Sequence, residues 1–204
     1  MSNLSVRRIQ RECREVVTDG AFSDLGITIE VLDDAAFSHL KAEIRGPPDT
    51  PYENGRFILD IVFPNDYPFK ALSAKFVTKV WHPNVSSQTG TICLDILKDK
   101  WSVASASFSL RTVLLSIQTL LSSPEPSDPQ DAVVAKQYMS ERPEFDRTAR
   151  FWTQHFAGGP GEKDKDMVAR INNVTLEIHN ETEAISVLSC NNWDVVKAIT
   201  YVKS

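Results

Sequence analysis

The chain has little cysteine, no long apolar run and no excess of basic charge. Its three cysteines, Cys13, Cys93 and Cys190, stand at spacings that fit no zinc-ligand pattern. An odd and sparse set does not make a disulfide framework either, so each reads as a free thiol and the question is which one reacts. No stretch approaches the roughly 20 consecutive apolar residues of a membrane-spanning helix, so no membrane partner is expected. Lys and Arg number 22 against 27 Asp and Glu, a formal net charge of −5. That balance speaks against nucleic acid as the main partner, because phosphate binding needs a basic stripe. Residues Met1 to Arg8 lack the basic head and apolar core of a secretory signal, and Tyr201 to Ser204 is no prenylation or retention signal, so a cytoplasmic or also nuclear setting is expected.

What is present is a foldable pattern, with 42% hydrophobic residues, enough for a packed core. Val6, Ile9, Cys13, Val16 and Val17 recur on one helical face and predict a helix from Leu4 to Thr18, stopped by Gly20. Cys13 on that face reads as core, and Arg7, Arg11 and Arg14 line the other side as a solvated face. Period-2 alternation follows in Ile27, Ile29 and Val31, in Leu40, Ala42 and Ile44, and in Phe57, Leu59, Ile61 and Phe63, with a fourth apolar stretch from Ala74 to Val80. Turn residues rather than helical patterns separate these runs, which indicates an antiparallel meander. Helical patterns then cover Leu110 to Leu121, Gln130 to Met139 and Glu144 to Phe156. The glycine-rich, charged stretch Gly158 to Lys165 reads as a linker, and three short helices fit Asp166 to Ile178, Glu181 to Ser189 and Trp193 to Val202, with Asn180 and Glu183 as a capping box. The expected class is α+β, a four-stranded antiparallel meander flanked by helices (residues 1–157), then a linker (158–165) and a small three-helix bundle (166–204).

The long irregular stretch from Trp81 to Ser109 is where function is expected, since such loops in compact domains are usually functional. It contains Cys93 within Gly90-Thr91-Ile92-Cys93-Leu94-Asp95-Ile96-Leu97, close in sequence to His82-Pro83-Asn84. Cys93 can be read as a small buried hydrophobe or as a thiol presented from a turn-rich loop. The proline holds its two polar neighbours rigidly, so His82 could serve as a base and Asn84 as an oxyanion donor. A cysteine hydrolase needs the same set, but His39, His82, His155 and His179 are scattered and none sits in a protease signature.

These residues resemble the ubiquitin-conjugating enzymes over about residues 4–157. The resemblance rests on Gly46-Pro47-Pro48-Asp49-Thr50-Pro51-Tyr52-Glu53, Tyr67-Pro68-Phe69, His82-Pro83-Asn84, the segment Gly90 to Leu97 with Trp101, and Asp128-Pro129, in that order. Gln130 to Ala135 and Asn192-Trp193-Asp194-Val195 are similar to the subgroup with a carboxy-terminal ubiquitin-associated domain. The resemblance implies the fold of that family and a Cys93 thioester, which accepts ubiquitin from the activating enzyme and passes it, with a ligase, to lysines of protein substrates or into polyubiquitin chains. It implies an oxyanion donor in Asn84, structural support from His82 and Pro83, and acidic assistance to the attacking lysine from Asp128 and Asp95. It places the activating-enzyme and ligase surface at Arg7, Arg11, Arg14, Phe69, Ser102 and Val103. It implies no metal or organic cofactor, since the activating enzyme spends the ATP. A non-catalytic scaffold, or a carrier of a different ubiquitin-like protein, is the alternative.

The chain departs from the family pattern in three places. Ala71-Leu72 replaces a proline pair, and Ser102 to Ser109 is longer than expected and rich in Ser and Ala; both changes fall on the presumed ligase surface. Glu177-Ile178-His179 stands where a ubiquitin-associated domain carries Met-Gly-Phe, which weakens the expected contact with ubiquitin and leaves a packed extension as the alternative.

Overall fold

The first helix, α1 (Asn3–Thr18), forms on the phase read from the sequence and buries Ile9, Cys13 and Val16. In this computed structural model residues 3–33, 35, 37–97, 101 and 108–203 are described. One expectation for the buried face of α1 fails. Val17 is exposed, and the position that completes the buried stripe is Glu12, whose carboxylate is inside. Gly20 does not end helical structure but opens a short second helix, α2 (Gly20–Asp24), because the Asp19 side chain accepts the Ala21 N–H and caps it.

Four strands follow, β1 (Ile27–Val31), β2 (His39–Arg45), β3 (Arg56–Val62) and β4 (Ser73–Phe76), paired antiparallel in sequence order. Strand β4 is shorter than the apolar run from Ala74 to Val80 implied, because the chain leaves the sheet after Phe76. The register pairs Ile27 with Ile44, Leu40 with Ile61 and Leu59 with Phe76, so the alternating apolar side chains of all four strands share one face. The other face carries cross-strand charge pairs, Lys41 with Glu30, Arg56 with Glu43 and Lys75 with Asp60.

The apolar face is covered by α3 (Leu110–Ser122), capped by Ser109, which buries Leu110, Val113, Leu114, Ile117, Leu120 and Leu121. Helix α1 packs against α3 and β1. Helices α4 (Ala132–Ser140) and α5 (Arg142–Phe156) close the far side, and α5 brings Phe145, Phe151 and Trp152 inward.

The segment read as a linker is tied down along its length. The Gly159 N–H donates to the Thr153 carbonyl, the Gln154 amide donates to the Pro160 and Glu162 carbonyls, and Arg147 pairs with Asp164. Asp164 then caps α6 (Lys165–Ile178), which with α7 (Glu181–Cys190) and α8 (Val195–Lys203) forms the terminal bundle. Asn180 caps α7 through the Glu183 N–H, as the capping pattern indicated. The buried residues of this bundle, including Met167, Ile171, Leu188 and Trp193, run continuously into the main core.

Candidate functional site

Cys93 owes its position to a very short antiparallel ladder that the sequence reading left as loop. Val85 bridges Ile92, the Ser86 N–H donates to the Thr91 carbonyl, and the Cys93 N–H donates 2.8 Å to the Asn84 carbonyl. Asn84 and Cys93 therefore stand opposite each other at the open end of the ladder. Gly90 turns it. With φ at +73°, any Cβ there would lie 1.9 Å from the Phe76 carbonyl oxygen, so only glycine lets the turn lie against the end of β4.

His82 fixes the other side of the same loop. It is fully buried, and its ring accepts the Asn84 N–H at Nδ1 while Nε2 donates to the Leu120 carbonyl at 2.9 Å. Both ring nitrogens are thereby used, and burial pushes the imidazole down to about 4. His82 is a neutral strut between the loop and the end of α3, with no ring nitrogen open to a reactant. The Pro83 carbonyl accepts the Gln130 and Asp131 N–H groups, joining the same loop to the start of α4.

Asn84 is 2% exposed and its side chain is bonded on both atoms. Nδ2 donates to the Glu125 and Asp128 carbonyls at 2.8 and 2.9 Å, and Oδ1 accepts the Glu125 N–H at 2.8 Å. The two amide hydrogens expected to meet an oxyanion are spent on the backbone of residues 125–128. What this arrangement positions is Asp128, whose exposed carboxylate accepts from the Cys93 thiol at 3.5 Å. Cys93 itself is half-buried. The structure thus gathers Cys93, Asn84 and Asp128, with His82 and Pro83 as scaffold. Asp95 lies two residues beyond the thiol, exposed, where it opens the 3₁₀ turn Asp95–Leu97.

The other two thiols are differently placed. Cys13 is in the core, where burial pushes it up to about 11, and Cys190 ends α7 beside the start of α4. Beside Cys93 an open groove of about 380 Å³ runs along α3, lined by Leu94, Leu115 and Leu120 among others. Among the described residues no cluster of His, Cys, Asp and Glu could hold a metal ion.

The expected partner surface is spread along α1 and the loop that carries Phe69. Arg7, Arg11 and Arg14 are exposed, and Phe69 is 75% exposed, too open for a core residue. Ser102 and Val103 lie outside the described residues. Sequence reasoning missed the hub beneath this surface. The buried Glu12 carboxylate pairs with Arg8 at 2.8 Å, accepts from the Tyr67 hydroxyl at 2.7 Å and accepts the Leu110 N–H at 2.9 Å. Trp101 donates to the Pro68 carbonyl and stacks on Phe108, so Glu12 and Trp101 together join α1, the Tyr67–Phe69 loop and the head of α3. Glu12 falls in phase with the buried stripe, between Ile9 and Val16, and that phase is the signal that could have found it.

Comparison with known proteins bears on the chain as a whole. Residues 8–153 match the family described as "Ubiquitin-conjugating enzyme". The chain is 48% identical over 202 residues to "Ubiquitin-conjugating enzyme E2 21" of Caenorhabditis elegans, covering 99% of this chain and 92% of that one. It is 46% identical over 198 residues to "Ubiquitin-conjugating enzyme E2 K" of Homo sapiens, covering 97% and 96%. Among solved structures, the E2 domain of a Toxoplasma gondii ubiquitin-conjugating enzyme superposes with a TM-score of 0.65 at 47% identity, over 74% of this chain and 97% of that one.

Proposed function

The chain belongs to the ubiquitin-conjugating enzyme family, a family of transferases, and from that premise we propose that Cys93 is the sulfur that carries ubiquitin. Membership implies ubiquitin, an activating enzyme and ligases as partners. In the first step the Cys93 sulfur attacks the thioester carbonyl presented by the activating enzyme. That enzyme's thiol leaves and ubiquitin's carboxyl carbon ends on Cys93. In the second step a lysine amine attacks the same carbon, the carbon–sulfur bond breaks, and an isopeptide bond forms. A carrier that exchanges one thioester for another needs no strongly acidified sulfur, because the incoming acyl group is already activated.

Asp128 is the group next to the attacking amine. Its carboxylate, 3.5 Å from Sγ and open to solvent, can orient the lysine and take the proton the amine loses. Asn84 serves by holding the 125–128 backbone on which Asp128 sits. Direct donation to the oxyanion requires it to give up the Glu125 or the Asp128 carbonyl. Asp95, exposed just beyond the thiol, is a further acidic neighbour of the incoming lysine. Arg7, Arg11, Arg14 and Phe69 form the docking face for the activating enzyme and ligases, and residues 166–204 form a separate sequence unit of the ubiquitin-associated type, in a cytoplasmic or nuclear protein.

The observation that carries this reading is the placement of a half-exposed thiol against the Asp128 carboxylate by a ladder that sets Asn84 opposite Cys93. Incubation with activating enzymes, ATP and a panel of ubiquitin-like modifiers tests it. A reductant-sensitive adduct is expected with ubiquitin. Preferential charging with another modifier moves the cargo assignment, and failure to charge with any favours a scaffold.

A further inference from the structure

Among the described residues, the Asn192 amide links the carboxy-terminal bundle to the helix that leads out of the reactive loop. At the start of α8 the chain turns through Asn192 and Trp193, both left-handed, with φ at 50° and 61°. Trp193 anchors this turn. Its ring is 1% exposed, its Nε1–H donates to the Thr148 hydroxyl at 2.9 Å, and its carbonyl accepts from Arg170 at 2.7 Å. Asn192 is thereby pressed on α4. Its Oδ1 accepts from the Gln137 amide at 2.9 Å and its Nδ2 donates to Glu141 Oε1 at 2.9 Å, so acceptor meets donor at one atom and donor meets acceptor at the other.

Gln137 passes the contact inward. It is 4% exposed, and its own Oε1 accepts the Trp81 indole N–H at 2.7 Å. Trp81 precedes His82, and its carbonyl accepts the Tyr52 hydroxyl. Helix α4 is also the direct continuation of the loop that presents Asp128, through Gln130 and Asp131 on the Pro83 carbonyl. The His82–Asn84 loop is thus bonded, through Trp81, to a buried glutamine on the helix that continues the Asp128 loop, and Asn192 holds the outer end of that glutamine.

We propose that Asn192 is a positioning residue for the transfer step, setting Asp128 against Cys93 through Gln137. It can act so only if Asp128 serves the transfer at Cys93, as proposed above. The step affected is lysine attack. Charging, which needs the sulfur and not the carboxylate, is not.

The variant that isolates the amide is Asn192→Gly, because glycine keeps the left-handed backbone without strain. Single-turnover discharge of the preformed ubiquitin thioester to free lysine is measured in the full chain, with Asn192→Gly, Asp128→Ala and the double variant. Discharge is expected to slow roughly threefold to tenfold in Asn192→Gly, with charging unchanged, the range typical of a residue coupled to a site it does not touch. In the Asp128→Ala background the glycine substitution is expected to add nothing, since neighbours acting through one group are non-additive. Unchanged discharge in Asn192→Gly, or an effect that multiplies with that of Asp128→Ala, overturns the assignment. If Asp128→Ala itself discharges at the normal rate, the reading of Asp128 fails, and the role of Asn192 with it. A second pair guards against a merely misfolded variant. Asn192→Asp alone sets two carboxylates against each other at Glu141, whereas Asn192→Asp with Glu141→Gln restores complementary donors and acceptors. Discharge is expected to fall in the first and recover in the second, and no recovery counts against the assignment.

Discussion

The loop that carries Cys93 and the seam between α5 and the terminal bundle are built from the same kind of part and do different work. Each is held by buried polar side chains whose hydrogen bonds are made inside the protein, as buried polar groups require. In the loop, His82 and Asn84 spend their hydrogen bonds on backbone groups, so they fix a path for the chain and leave one sulfur at the surface. In the seam, Ser189 and Thr148 spend theirs on the indoles of Trp152 and Trp193, so they fix one packed unit against another and present nothing reactive. Losing a bond in the loop should therefore change chemistry, and losing one in the seam should change stability.

The largest break in that contrast is expected from Asn84→Ala. Charging should persist, while discharge to free lysine should fall on the order of a hundredfold, because the backbone that presents Asp128 loses its hydrogen bonds to the amide and the carboxylate is misplaced. Discharge at the normal rate would make the loop no different from the seam.

His82 sharpens the contrast through pH. Its imidazole, held down to about 4 in the fold by burial, has an ordinary value of 6.5 in the unfolded chain. Above 6.5 both states are neutral and the ring has no effect. Below it the unfolded chain binds a proton that the fold refuses, so stability is lost as pH falls from 6.5 towards 4. The full loss is on the order of 3 kcal/mol for a completely buried ring. Urea unfolding between pH 7 and 4 measures it, and His82→Gln should flatten the slope in that window. An equal slope in both proteins would remove His82 as its cause.

The smallest expected effect is in the seam. Ser189→Ala removes the acceptor for the Trp152 indole and leaves that buried N–H unsatisfied, which should cost about 1–2 kcal/mol of unfolding free energy. Charging and discharge rates should not move. A change in either rate would show that the seam as a whole, not Asn192 alone, governs the transfer.

The sheet and the helix over it were plain in the sequence because each rests on a single period. Alternation in β2 and β3 gave the inward faces of Leu40, Ala42, Ile44, Phe57, Leu59 and Ile61, and the dense apolar run gave α3. The reactive cysteine and its neighbours were legible through ordered motifs, not through any period. What stayed hidden depends on polar residues that serve partners distant in the chain. Glu12 meets Tyr67 and Leu110, and Gln137 meets Trp81 and Asn192, and no local pattern names those partners. The ladder from Asn84 to Cys93 was hidden for another reason. It has so few paired residues that alternation cannot be read, and the need for glycine at its turn comes from the closeness of Gly90 to Phe76, a contact distant in the chain.

Replacing the sulfur with oxygen tests the claim that Cys93 carries the acyl group most directly. Cys93→Ser, Cys13→Ser and Cys190→Ser are each charged with ubiquitin and run with and without reductant. The account predicts a reductant-resistant ester adduct in Cys93→Ser alone, with normal reducible adducts in the other two. A reducible adduct surviving in Cys93→Ser would contradict it.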